Sequence, residues 1–205
     1  MVKTSRRTPR RPCWCGSPTF DHYCLADRAH VPDTPQTRLL KLDLACGQSR
    51  REGFVGVDRT AMDGVDVVHD LDVRPWPWPD AMIEEVHCSH YIEHTSDLIL
   101  FMEEMGRILI PGGKATLIAP YYTSMRAWQD PTHRRAICEA TFLYFNKGWR
   151  HQNKLDHYPI TCDFDFSYAY VLSPEWANRA QEARDFAIAH YWNVVSDIQV
   201  SLVKR

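Results

Sequence analysis

Short apolar runs in this chain end on residues that can bind or move charge. Leu39–Leu44 holds Asp43 near its end and runs into Ala45-Cys46-Gly47. Phe54–Val57 is closed by Asp58, Val65–Val68 by His69-Asp70, and Val86–Ser89 is followed by His90. A glycine after the first run lets a ligand approach the backbone. A carboxylate closing the second can accept hydrogen bonds from both hydroxyls of a vicinal diol such as a ribose. One closing the third can accept from an exocyclic amino group. The loop after the first run has one glycine where a diphosphate dinucleotide fingerprint has three, which disfavours that ligand class.

A second group of residues suits proton transfer. His90, Glu93 and His94 follow the fourth run, and Asp130 and His133 lie in Tyr121–His133, a stretch dense in aromatic and polar groups without a clear period. His90, Asp130 and His133 are candidate bases; Tyr121, Tyr122, Arg126 and Trp128 are candidates for contacting a substrate. The competing reading is a structural loop in which Arg126 pairs with Asp130. His90-Tyr91-Ile92-Glu93-His94 formally matches the H-x-x-E-H metallopeptidase pattern, but the match starts at a strand end rather than inside a helix, which argues against a peptidase.

The elements that must position these residues follow from the pattern. The four runs, and a fifth at Ala115–Ala119, are rich in Val, Leu and Ile and bounded by Gly, Pro or Asp, as buried parallel strands are. Leu98, Phe101, Met102, Met105 and Leu109 recur at helical spacing, with Ser96 as a cap, Glu103, Glu104 and Arg107 on the wet face, and Pro111-Gly112-Gly113 as the stop. Ala136–Trp149 reads as an amphipathic helix, and Phe164–Val171 as a strand. Ser173-Pro174-Glu175 starts a helix reaching about Tyr191, and Val194–Val203 is a last strand, antiparallel to its neighbour. Only 15 positions separate Asp43 from Asp58, so any helix between them must be very short. Trp76 and Trp78, alternating with Pro75, Pro77 and Pro79, are expected to cover the core. Strand–helix alternation implies an α/β fold with right-handed crossovers.

Composition sets the bounds. The 205 residues are 44% hydrophobic, enough for one core, and no apolar run approaches the roughly 18 residues of a membrane span. A cytoplasmic protein without membrane contact is expected. The net charge of −2 hides an asymmetry: residues 1–11 carry five basic residues and no acid, which leaves 19 basic against 26 acidic residues, or −7, in the remainder. Seven cysteines, an odd number, do not suggest a disulfide framework. Residues 1–38 read as a basic tail, a small module and a linker. Cys13, Cys15 and Cys24, with His30 or His22 as a fourth ligand, could bind structural zinc, and residues 1–30 could contact nucleic acid.

Residues 39–119 resemble class I S-adenosylmethionine-dependent methyltransferases, and Asp130-Pro131-Thr132-His133-Arg134 resembles a bacterial and phage-encoded subset of them. The carrying motifs are Leu42-Asp43-Leu44-Ala45-Cys46-Gly47, Val55-Gly56-Val57-Asp58, Tyr91-Ile92-Glu93-His94 and Arg107-Ile108-Leu109-Ile110-Pro111-Gly112-Gly113. The resemblance implies a Rossmann-like, seven-stranded, mostly parallel sheet with an antiparallel C-terminal edge over residues 39–205. It implies that Asp43, Ala45, Cys46 and Gly47 line the methionine part of the cofactor, that Asp58 holds the ribose, that Asp70 and Leu71 lie at the adenine, and that Ser89 and His90 sit near the sulfonium. Ala45 and Ser49 stand where that family often has glycine. The cysteine cluster is similar to the SEC-C zinc motif, with Leu25 where that motif places its fourth ligand. The expected activity is methyl transfer by in-line displacement to an acceptor the sequence does not identify; the alternative is a non-catalytic adaptor of the same fold that binds nucleic acid or protein through its basic, zinc-binding N-terminus.

Overall fold

The computed structural model describes residues 39–205. The expected zinc module on Cys13, Cys15, Cys24 and His30 lies outside them. Seven strands form one sheet in the order β3-β2-β1-β4-β5-β7-β6. They are β1 (Leu40–Leu44), β2 (Val55–Asp58), β3 (Val67–Val68), β4 (Ile83–Ser89), β5 (Leu109–Pro120), β6 (Phe164–Leu172) and β7 (Val195–Lys204). The first five pair in parallel; β7 runs antiparallel to β5, and β6 antiparallel to β7. This is the expected Rossmann-like sheet with its antiparallel edge.

The central strands are buried on both faces, which is why β1, β4 and β5 read as near-continuous apolar runs. Leu42, Leu44, Val86, Cys88, Leu117 and Ala119 form the middle of the core. Against one face packs α1 (Leu98–Ile108), through Phe101, Met102, Met105 and Ile108. Trp76 seals the end of that interface edge-to-face on Phe101, with centroids 5.4 Å apart. Its buried indole N–H donates to Leu71 O at 3.0 Å. Trp78 is buried as well, so both tryptophans cover the core as expected.

Several local expectations are corrected. The cap of α1 is Asp97, not Ser96: its carboxylate accepts from Leu100 N at 3.0 Å, while Ser96 N is held by Asp72. Pro111-Gly112-Gly113 does not stop the helix. Leu109 is already extended, and β5 begins there. The register jumps from Ile83 opposite Leu109 to Glu85 opposite Lys114. The Pro-Gly-Gly segment fills that irregularity, where a residue without a backbone N–H and one at φ +76 cost the ladder nothing. Glu103 and Glu104 are not simply solvated. Glu103 accepts from the Thr161 and Cys162 backbone N–H groups, and Glu104 accepts from Trp76 N and Arg107. After a short α2 (Arg126–Gln129), the expected helix over 136–149 is split: a 3-10 segment spans Glu139–Phe145, and α3 spans Lys147–Gln152. Asn146 is extended between them and caps α3 by accepting from Trp149 N. The C-terminal helix likewise divides into α4 (Pro174–Ala177) and α5 (Gln181–His190), because Ala180 is extended. Between β1 and β2 the chain makes turns rather than a short helix.

Candidate active site

The carboxyl ends of β1, β2 and β4 open onto a cavity of about 640 Å³. That volume suits a nucleoside-sized ligand. Of the residues expected at the cofactor, Ala45, Asp58, Asp70, Leu71 and His90 line it. Asp43, Cys46, Gly47 and Ser89 are not among its lining residues. Arg59, Thr60, Met62, His69, Asp72, Tyr91, His94, Thr132 and Arg134 complete the wall.

The floor is a turn. Ala45 and Gly47 both take left-handed φ values, 54° and 53°. This accounts for glycine being common at the Ala45 position in the family the chain resembles. The turn is tied to β2: Cys46 N donates to Val57 O at 3.1 Å, and Gly47 N to Asp58 Oδ2 at 3.1 Å. Asp58 Oδ1 accepts from Thr60 N at 3.0 Å. Each oxygen of Asp58 thus holds one backbone donor and keeps a lone pair for a second, the condition for accepting two ribose hydroxyls. Burial, with Asp43 and Asp58 close by, pushes the Cys46 thiol up to about 11, so it stays protonated and is no nucleophile at neutral pH.

Asp43 is turned into the protein. Its Oδ1 pairs with His87 Nδ1 at 2.8 Å and its Oδ2 accepts from Arg51 N at 2.8 Å. Oδ2 therefore braces the loop that follows β1, and Oδ1 ties β1 to β4. Asp72, absent from the expected set, braces the cavity's other wall. Burial alone would raise its carboxyl; hydrogen bonds from Thr95 Oγ1, Ser96 N and Tyr91 OH outweigh that and hold it low. Asp70 Oδ1 accepts from Asp72 N at 2.9 Å, which leaves its other oxygen free for the ligand side.

At the far wall, His90 N donates to Ile118 O at 2.8 Å, continuing the β4–β5 ladder one step, and φ then turns to 55°. The turn places the imidazole on the cavity, with Nδ1 3.3 Å from Glu93 Oε1. Asp130 and His133 stand behind this wall. Asp130 Oδ1 accepts from Thr132 N and Thr132 Oγ1, and these bonds keep its carboxyl below the usual range. His133 Nδ1 donates to Ala127 O at 3.0 Å, and its ring meets His94 edge-on with centroids 4.6 Å apart. Arg135 clamps this loop to the segment after β4, donating to Ile92 O at 2.9 Å and Thr95 O at 2.6 Å.

The four expected substrate contacts do not line the cavity. Tyr121 is buried and bonds Glu139 through its hydroxyl at 3.0 Å. Arg126 pairs with Asp197 at 2.6 Å rather than with Asp130. Trp128 and Tyr122 are exposed; the Trp128 indole N–H donates to Tyr122 O. Its polar and aromatic density in the sequence signalled this loop, but the Arg126–Asp197 pair joins residues 71 positions apart and has no local signature.

Residues 45–117 match the family model of the methyltransferase domain. A search of curated proteins returns no match. Among solved structures, the chain is similar to a SAM-dependent methyltransferase from Archaeoglobus fulgidus, at 17% identity and TM-score 0.54, over 82% of this chain and 87% of that one. It is also similar to a SAM-dependent methyltransferase from Thermotoga maritima, at 10% identity and TM-score 0.51, over 81% and 82% of the two chains. Identities this low carry the fold alone; the family match, which runs from the loop after β1 into β5, carries the class. The chain carries an S-adenosylmethionine-dependent methyltransferase domain.

Proposed function

We propose that the cavity holds S-adenosylmethionine with its ribose on Asp58 and its adenine beside Asp70 and Leu71, and that the methyl group leaves toward an acceptor entering past His90. The observation that carries this reading is Asp58: a strand-end carboxylate that lines a nucleoside-sized cavity and whose two oxygens are each steadied by one backbone N–H. Asp70 and Asp72 add negative charge to the same cavity, which suits a cationic ligand.

When bound, the cofactor supplies a methyl group on a sulfonium, and transfer disperses charge, so alignment and exclusion of water do much of the work. The protein's part is then positional. The left-handed turn at Ala45–Gly47 fixes the floor. His90, held at the end of β4, faces the reacting end and takes the acceptor's proton. Asp130 and His133 act through neighbours: Asp130 orients Thr132, and His133 packs on His94. Tyr122 and Trp128, exposed on the same loop, serve as the outer contact for the acceptor. The N-terminal cysteines, with His22 or His30, bind zinc in this reading, and residues 1–30 offer a basic arm for an anionic partner.

Incubation of the protein with methyl-labelled S-adenosylmethionine and fractionated small molecules, nucleic acids and proteins tests the proposal. Label is expected in one acceptor class with the wild-type chain and not with Asp58→Ala. Equal labelling by both proteins, or none in any fraction, would contradict it.

A further inference from the structure

Glu93 is the least explained charged residue of the domain. Its side chain is about 2% exposed, and among the described residues neither carboxylate oxygen accepts a hydrogen bond. A carboxylate in that condition is costly unless a cation or proton compensates it. His90 Nδ1 is 3.3 Å away but out of line for a hydrogen bond. His94 and His133 are the other close partners: one carboxylate oxygen of Glu93 and one ring nitrogen of each histidine lie within 4.8 Å of one another.

The bonds around the two histidines fix which nitrogen is free. His133 Nδ1 donates to Ala127 O, which can only accept, so in the neutral ring Nε2 carries the lone pair. Thr132 Oγ1 gives its only hydrogen to Asp130 Oδ1 at 2.7 Å. It must therefore accept from His94 Nδ1 at 3.0 Å, and His94 Nε2 is left with its lone pair as well. A carbonyl on one ring and a hydroxyl–carboxylate relay on the other are the outer partners that orient metal-binding histidines.

We propose that Glu93, His94 and His133 form a site for one divalent transition-metal ion of the zinc class. Two imidazole nitrogens and one carboxylate oxygen are the donor set of zinc sites that keep a position open. His94 lines the cavity, so the open position faces the acceptor end. The H-x-x-E-H spelling, discounted for a peptidase, contributes two of the three ligands here; the third comes from the loop after β5.

The test uses the full chain carrying Cys13→Ser, Cys15→Ser and Cys24→Ser, so that thiols of the N-terminal segment do not bind the probe. The metal-free protein is titrated with Zn²⁺ by calorimetry and with Co²⁺ by visible absorption. One ion per chain is expected, with cobalt bands but no thiolate charge-transfer band. Glu93→Gln, His94→Gln and His133→Gln should each abolish that binding. Thr132→Val, which removes the acceptor for His94 Nδ1, should weaken it roughly 10- to 100-fold. Zn²⁺ should raise the Tm of the parent chain and not that of Glu93→Gln, which relieves a buried charge and keeps its shape. A parent chain that binds no ion overturns the proposal. So does binding of equal affinity in Glu93→Gln and the parent.

Discussion

Asp58 and Glu93 are carboxylates on the same edge of the same sheet, and the protein treats them in opposite ways. Asp58 is accessible, and each of its oxygens has a backbone N–H from a neighbouring turn. Glu93 is buried, lacks hydrogen bonds among the described residues and is flanked by three imidazoles. The first is braced before any ligand arrives; the second is left short of a positive partner. The cofactor end of the cavity is therefore preorganised by the fold, and the acceptor end holds polarity that the fold itself does not use.

Substitutions at the two ends should separate these cases. The largest effect is expected at Gly56, inside β2. A Cβ there would lie 2.2 Å from Gly64 O and 3.0 Å from Cys46 Sγ. Gly56→Ala should cost about 3 kcal/mol in denaturant unfolding, because backbone rather than a flexible side chain must move. Gly47→Ala tests the turn without a clash. Nothing lies within 4 Å of the added carbon, but φ is +53°, so a loss of about 1–2 kcal/mol is expected. A similar stability for Gly56→Ala and Gly47→Ala would show that close packing of the floor does not matter.

Asp72→Asn is next. Its hydrogen bonds are partly solvent-exposed, so the expected loss is about 1 kcal/mol at neutral pH. The sign with pH is set by a folded-state carboxyl held below its ordinary 3.8. The stabilisation is present above that value and fades as pH falls below it through the depressed folded value. The gap between wild type and Asp72→Asn, measured by chemical unfolding, should close in acid and stay constant from pH 5 upward. At the other end, metal-free Glu93→Gln should change stability by no more than about 0.5 kcal/mol, or raise it, since it removes a buried charge that has no hydrogen bond to lose. A loss of several kcal/mol there would erase the contrast with Asp72.

The same contrast explains what the sequence made legible. The strand-end acids Asp58 and Asp70 could be placed because each closes its own apolar run and is held by residues two to eleven positions away. The mostly parallel sheet and its antiparallel edge followed from the apolar runs and the resemblance they support. Asp43 was harder: its position at the end of β1 was clear, but its inward pairing with His87 joins residues 44 positions apart. The helix boundaries shifted where backbone needs outweighed periodicity, at Asn146, Ala180 and the Pro111-Gly112-Gly113 irregularity. At the cavity's far wall, His90 and His94 could be named from their place after the fourth run, whereas Thr132 was visible only within a dense polar stretch. Arg135, which brings its two segments together, carries no motif at all.

The central claim is that Asp58 anchors the cofactor at the preorganised end. Calorimetric titration of S-adenosylhomocysteine into wild type and Asp58→Ala measures it directly. Two charge-assisted hydrogen bonds are at stake, so about 100-fold weaker binding is expected in the variant, or about 3 kcal/mol. Equal affinity in the two proteins would contradict the account.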